Sequence, residues 1–122
     1  MTKVLGILGL ARKAGALALG TEAAIEAVRK DKAKVVIIAS DASKTTIEQL
    51  ENKCRFYKVK YDVPGLTREQ LGSFLGRSVL SAVAILNDNF YNGYKKARNE
   101  ADPVTNRAVD IDLKEVDVYG SK

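Results

Sequence analysis

The segment Val35 to Ala39 reads Val-Val-Ile-Ile-Ala, and this unbroken apolar run constrains the fold more than any other part of the chain. Side chains alternate between the two faces of a sheet, so a strand without polar positions must be covered on both faces. The run follows a helical pattern that starts after Gly20, and further short apolar runs alternate with helical patterns. We therefore expect an α/β protein, a three-layer α-β-α sandwich around a four-stranded mixed sheet.

Short apolar runs bounded by turn residues predict strands, and apolar residues recurring every three or four positions predict helices. The expected strands are residues 17–19, 35–39, 59–63 and 80–86. The expected helices are residues 2–14, residues 21–30 with Thr21 as N-cap, a helix after Asp41 or Ser43, a short helix from the capping box Thr67–Gln70, and a helix from Asn87 or Asp88 to about Arg98. Core-facing positions in the last three helices are Cys54, then Leu71, Phe74 and Leu75, and at least one of Tyr91 and Tyr94.

With 122 residues and 46% hydrophobic side chains, the chain is large enough for one domain with a single core. We place this domain at residues 1–101 and interpret residues 102–122 as an acidic C-terminal tail. Val109–Leu113 and Val116–Tyr119 alternate like strands. The tail is therefore expected to add a strand or hairpin to the body, or to become ordered on a protein partner or a second copy of the chain.

The formal net charge of +5 is unevenly distributed. Residues 1–99 carry 17 basic and 9 acidic side chains, whereas residues 100–122 carry 3 and 6. A basic body favours a polyanionic partner, because each cation that neutralises a phosphate releases condensed counterions. Ordinary solubility is the alternative explanation of the charge.

The sequence disfavours an enzyme. It contains no histidine, the side chain that most often transfers protons near pH 7 and most often ligates transition metals. The phosphate-binding patterns GxxxxGK[ST] and G-x-G-x-x-G are also absent. We therefore expect a binding protein with no cofactor and no metal site.

Two features of the sequence indicate the cellular location of the protein. Cys54 is the only cysteine, so no internal disulfide can form, and no basic leader with an apolar core opens the sequence. We expect a cytoplasmic protein. No apolar run approaches the roughly 20 residues of a membrane span, so no membrane association is expected.

The stretch from Gly20 to Ala39, followed by Asp41-Ala42-Ser43, resembles the L7Ae ribosomal protein family. The similarity continues in Leu71-Gly72, Gly76-Arg77 and Ala82–Ile85, and it extends over about residues 3 to 99. The resemblance implies a ribosomal L30e-like fold that docks on structured RNA, such as a kink-turn in ribosomal RNA. It also implies association with the ribosome.

The resemblance places one RNA contact at the start of the second helix. The family pattern there is Gly-x-Asn-Glu-x-x-Lys, and this chain has Gly20, Thr21, Glu22, Ala23 and Glu26 over the same positions. The glycine is kept, but the asparagine, glutamate and lysine are replaced. Two carboxylates near phosphates would repel them by about 1 kcal/mol each, and Ala23 has no acceptor for a guanine. These departures disfavour the usual kink-turn contacts and leave the RNA target open.

The resemblance places a second contact in the loop before the last strand, Gly76-Arg77-Ser78-Val79. Arg77 would stack on a base or bind a phosphate, and Val79 would offer an apolar platform to an unstacked nucleotide. An ordinary exposed turn is the alternative. The family fold is also expected to bring Arg12, Lys13, Lys32 and Arg77 around the sheet edge at Gly20.

Two other classes of function remain open. Glu22, Ala23 and Glu26 also suit a protein-interaction adaptor or a dimeric regulator, with the tail as its pairing segment. An enzyme is the weakest hypothesis, because Asp41 is better explained as a helix cap and the pair Glu22 and Glu26 as a solvated helix face.

Overall fold

The computed structural model of the protein describes residues 1–101. Within this range five helices alternate with four strands. They are α1 (Thr2–Lys13), β1 (Leu17–Leu19), α2 (Thr21–Arg29), β2 (Val35–Ile38), α3 (Lys44–Tyr57), β3 (Lys60–Asp62), α4 (Arg68–Phe74), β4 (Ala82–Ile85) and α5 (Asp88–Ala101). The expected tail, residues 102–122, lies outside the described residues.

The four strands form one sheet in the order β1-β4-β2-β3. β2 pairs parallel with β3, Val35 opposite Lys60, and antiparallel with β4, Val36 opposite Ala84. β1 pairs antiparallel with the other side of β4. All four residues of β2 are buried, as are all four of β4. The predicted mixed sheet with a central strand covered on both faces is therefore confirmed.

Helices cover both faces of the sheet, and two neighbouring residues of β3 contact helices on opposite faces. Tyr61 lies beside Glu51 and Arg55 of α3. The next side chain, Asp62, points the other way and bonds to α5. α2 packs against α3 in one layer, and α1 packs against α5 in the other. The three-layer sandwich expected from the sequence is confirmed, with the apolar core between the layers.

β1 has the predicted bounds, but the other three strands are shorter than the sequence patterns suggested. β2 ends at Ile38, β3 covers only Lys60–Asp62, and β4 covers only Ala82–Ile85. Val59 and Leu80 lie next to these strands and are buried, but their amides donate to the helix carbonyls of Cys54 and Arg68 and not to a strand. Apolar runs report burial, whereas strand length depends on a neighbouring strand, so the predicted bounds were too long.

The starts of α3 and α4 agree with the expected caps. The Ser43 hydroxyl accepts a hydrogen bond from the Thr46 amide at 3.1 Å, so Ser43 rather than Asp41 caps α3. Thr67 and Gln70 form the reciprocal capping box that the sequence predicted for α4. Cys54, Tyr91 and Tyr94 are in the core, and Leu71 and Leu75 are buried as expected.

The predicted orientation of Phe74 is wrong. It was expected to face the core, but 51% of its surface is exposed. Its ring lies over Gly9 of α1, where the methyl carbon of an alanine would be 3.0 Å from the ring carbon Cε2. α4 has seven residues, about two turns of helix, and so short a helix shows too few repeats for periodicity to fix its buried face.

A buried polar cluster joins α5 to the end of β3. Asp62 is fully buried, and its Oδ2 accepts hydrogen bonds from the Tyr94 hydroxyl at 2.7 Å and from Arg98 Nε at 2.8 Å. Burial, reinforced by the neighbouring Asp62 carboxylate, raises the pKa of Tyr94 well above its usual range. The phenol therefore remains a hydrogen-bond donor at neutral pH.

Replacement of Asp62 by Asn should destabilise the protein by about 3 kcal/mol, because it removes a charge that is paired with a largely buried guanidinium. Tyr94→Phe should cost about 1.5 to 3 kcal/mol, since it removes one hydrogen bond to a buried carboxylate that keeps its bond to Arg98. Urea unfolding followed by circular dichroism measures both changes. Equal stability of Asp62→Asn and the parent chain would show that the cluster does not hold α5 on the sheet.

Candidate nucleic-acid interface

The start of α2 carries backbone donors without an intrahelical partner. Gly20, not Thr21 as expected, is the N-cap, with φ of 103°, a conformation that favours glycine. Gly20 makes no side-chain cap, and its own amide donates to the Ala82 carbonyl at 2.9 Å. The first helical bond is from the Ala24 amide to the Gly20 carbonyl. The amides of Thr21, Glu22 and Ala23 thus precede the helical ladder, at the positive end of the helix dipole.

The acidic side chains of α2 differ in their surroundings. Glu22 is exposed beside the open amides, and Ala23 next to it is also exposed. Glu26 instead forms ion pairs with Arg29 and with Lys30 further along the same helix. The hydrogen bond from Arg29, followed by that from Lys30, lowers the pKa of Glu26. Glu26 therefore carries a charge that two neighbouring cations offset, so only Glu22 opposes an anion at this helix start.

The loop Gly76–Val79 is shaped by contacts with α4. Gly76 has φ of 82°, and the Arg77 amide donates to the Gly72 carbonyl at 2.7 Å. The loop then runs back along the helix, so that the Leu80 amide reaches the Arg68 carbonyl at 3.0 Å. This path leaves Arg77 and Ser78 exposed, with Val79 54% exposed. The loop thus presents a cation and an apolar side chain on one short, backbone-bonded segment.

Gly72 makes this path possible. A Cβ on Gly72 would lie 2.6 Å from Val79 Cα and 2.8 Å from the Ser78 carbonyl carbon. Both neighbours are backbone atoms, which cannot rotate away. Any larger residue at this position must displace the loop, and with it Arg77 and Val79.

Several of the expected contacts are brought together. The guanidinium of Arg12 lies beside Gly76, with Nη2 3.5 Å from the position that a Cβ on Gly76 would take. Lys13 is exposed at the end of α1 and lines the same surface depression as Arg12 and Phe74. The loop leads into β4 at Ala82, the residue whose carbonyl accepts the Gly20 amide. The helix start and the loop therefore meet at the beginning of β4.

Lys32 is not part of this group. It lies beyond the far end of α2, before β2, where the Lys34 amide donates to the Ile85 carbonyl at the end of β4. The nine residues of α2 span about 14 Å at 1.5 Å per residue, which separates Lys32 from Gly20. The expectation that Lys32 shares the sheet edge of Gly20 is therefore wrong, because the helix carries the chain to the opposite edge.

One positioning contact was missed by the sequence analysis. Asp41 Oδ1 accepts a hydrogen bond from the Arg68 amide at 2.7 Å and lies 3.5 Å from Arg68 Nε. This contact joins the end of β2 to the start of α4, and α4 in turn supports the loop. The two residues are 27 positions apart, so no local pattern indicates the pair. Asp41 was expected only as a possible cap of α3.

Among residues 1–101 no three His, Cys, Asp or Glu side chains are grouped as a metal site would require. No helix in the same range is long and apolar enough to cross a membrane.

The fold and its helix start define a class of small α/β proteins, and residues 2–93 match the profile of the ribosomal protein L7Ae/L30e/S12e/Gadd45 family. The chain belongs to this family. It is 34% identical over 86 residues to the "RNA-binding protein YlxQ" of Bacillus subtilis, covering 70% of this chain and 85% of the relative. It is 32% identical over 78 residues to the "large ribosomal subunit protein eL30" of Methanobrevibacter smithii, covering 61% and 75%.

Solved structures have the same fold. A Bacillus halodurans protein described as having unknown function superposes with a TM-score of 0.74 at 29% identity, covering 81% of this chain and 99% of that one. The Giardia lamblia 15.5kD RNA binding protein superposes with a TM-score of 0.67 at 24% identity, covering 81% and 84%. The second likeness concerns the fold alone. The resemblance drawn from the sequence, and the fold that it implied, are confirmed.

Gly72→Ala should destabilise the protein by about 1 to 3 kcal/mol, because the new methyl group meets the backbone of Val79. Gly6→Ala is the matched control, since Gly6 is also helical but a Cβ there has nothing within 4 Å. This control should stabilise the protein by about 0.5 to 1 kcal/mol through helix propensity. Thermal unfolding measures both, and similar effects of the two substitutions would contradict the close packing of the loop on α4.

Proposed function

We propose that this protein binds structured RNA by docking, without catalysis, through the start of α2 and the loop Gly76–Val79. The observation that carries the proposal is the juxtaposition of the three open amides of residues 21–23 with that loop at the start of β4. The names of the Bacillus subtilis and Methanobrevibacter smithii relatives, an RNA-binding protein and a ribosomal protein, support it.

The chemistry of the helix start suits a phosphate. Amides at the positive end of a helix bind anions, and Gly20 has no side chain to keep a phosphodiester away. Ala23 is small and exposed, so it leaves the neighbouring amides accessible. Because Arg29 and Lys30 offset the charge of Glu26, the repulsion expected from two carboxylates is reduced to that of Glu22.

The loop supplies the other half of the contact. Arg77 can pair with a phosphate or stack on a base, while exposed Val79 offers an apolar surface to an unstacked nucleotide. Arg12, beside Gly76, adds a second cation to the same area. We infer that recognition depends on the shape of the RNA backbone and one splayed nucleotide. The base-reading side chains that the family pattern would place at Glu22 and Ala23 are replaced here.

Structured RNA with a sharp bend, including ribosomal RNA, is accordingly the proposed partner. A gel-shift titration tests this with a kink-turn RNA, the same RNA with its G·A pairs disrupted, and total ribosomal RNA, each at two salt concentrations. We expect the intact kink-turn to bind more tightly than its disrupted form, with an affinity that falls as salt rises. Equal, salt-labile binding to all three RNAs would contradict shape recognition. Absence of binding to any of them would favour the protein-interaction adaptor.

Arg77→Ala should weaken binding to the kink-turn RNA and lower the slope of log affinity against log salt by about 0.7 to 0.9, the loss of one phosphate contact. Lys96→Ala is the matched control, because Lys96 is an exposed cation on α5, in the groove between α5 and α1. Its removal should leave the slope unchanged. Equal effects of the two substitutions would mean that only the overall charge matters.

A further inference from the structure

A second surface of distinct chemistry lies at the opposite edge of the sheet, where α2 and α3 both end and β2 and β3 both begin. We call it the basic-aromatic edge and define it as residues 29–34 and 53–60. It is separated from Gly20 by the length of α2, about 14 Å. It is therefore a separate surface from the helix start and the loop.

Positive charge is concentrated at this edge. Its two segments contain eight of the 17 basic side chains of residues 1–99 and one acidic residue, Asp31. Arg29 is paired with Glu26, and Lys34 lies 3.8 Å from Asp88. Lys32, Lys58 and Lys60, by contrast, form no ion pair with any carboxylate of residues 1–101. These three lysines remain available to an external anion.

Two aromatic rings lie among these cations. Phe56 has 78% of its surface exposed and Tyr57 37%. Their ring centroids are 4.9 Å apart at an interplanar angle of 78°, so each ring braces the other edge to face. Arg29 is close enough to Tyr57 to interact with it electrostatically. An exposed aromatic ring beside cations is the combination with which proteins stack and hold unpaired bases.

The backbone fixes the rings in place. Lys58 ends α3 in the left-handed conformation with φ of 58°, and the Val59 amide donates to the Cys54 carbonyl at 2.8 Å. Cys54 is fully buried, and Lys60 pairs directly with Val35 of the central strand. Phe56 is thus displayed by a helix end tied into the sheet, so stacking on it orders little of the protein.

The chemistry differs from that of the helix start. Helix C-termini carry partial negative charge, so this edge has no backbone cradle for a phosphate. An anion here must be held by lysine side chains, and the accompanying bases by ring stacking. Such contacts require bases that are not paired within a duplex. The paired bases in the two arms of a kink-turn do not meet this requirement.

We propose that the basic-aromatic edge binds single-stranded RNA, with a base stacked on Phe56 and phosphates held by Lys32, Lys58 and Lys60. The inference rests on the proposed function only in choosing RNA over DNA. The protein would then hold two RNA segments at once, a bent one at the start of α2 and an unpaired one at this edge.

The test uses a Phe56→Trp variant of the full chain, which contains no other tryptophan, so its fluorescence reports this position alone. Addition of a short oligouridylate should quench the emission at low salt, and added salt should restore it. In the otherwise unchanged protein, Phe56→Leu should weaken oligouridylate binding about tenfold, because leucine keeps the apolar area but cannot stack.

Charge variants in the Phe56→Trp background give matched controls. Lys32→Gln should lower the affinity for oligouridylate, whereas Lys96→Gln on α5 should leave the affinity unchanged. Arg77→Ala should also leave it unchanged, because Arg77 lies on the other surface. Failure of the parent chain to bind the kink-turn RNA, with quenching by oligouridylate retained, would overturn the proposed function but keep this inference. Absence of quenching would overturn the inference. So would equal quenching by inorganic polyphosphate, or self-association that Phe56→Leu abolishes.

Discussion

The double pairing of β2 is the constraint on which the rest of the structure depends. β2 lies between β3 and β4 and is buried along its whole length, so its two ends define two edges of the sheet. α2 runs from the edge at Gly20 to the opposite edge, β2 returns the chain, and α3 then runs in the same direction as α2. Each of these helices thus begins at one edge and ends at the other. Their unpaired backbone amides lie at the first edge and their unpaired carbonyls at the second.

This arrangement gives the two edges opposite backbone polarity. The N-termini of α2 and α3 lie at one edge, together with the start of α4, which Asp41 holds there. The C-termini of α2 and α3 lie at the other edge. Cations near helix C-termini are favourable, so the lysines of the basic-aromatic edge stabilise the helix ends even without RNA. Under the two proposals, backbone amides at one edge and side-chain cations at the other would give one small domain two different means of binding a polyanion.

The sequence was sufficient for the fold because the apolar run of β2, the capping box at Thr67 and the family pattern all describe local features or burial. It also indicated the glycine that opens α2. It could not indicate contacts between distant residues, such as Asp41 with Arg68. The ion pairs that offset Glu26 are different, because Arg29 and Lys30 follow it by three and four positions on the same helix, a spacing that the sequence does show. Lys32 was misplaced and the exposure of Phe56 went unnoticed, because both depend on how α2 and α3 run relative to the sheet. Pattern analysis is least informative about that relation.

The cluster at Asp62 has a consequence for the order of events during synthesis. The sheet has all its strands once Ile85 has left the ribosome, yet two partners of the buried carboxylate, Tyr94 and Arg98, belong to α5, 32 and 36 positions later than Asp62. Burying this carboxylate before those partners arrive is costly, so the end of β3 stays hydrated until α5 is made. A nascent chain lacking α5 therefore leaves the end of β3 open to water.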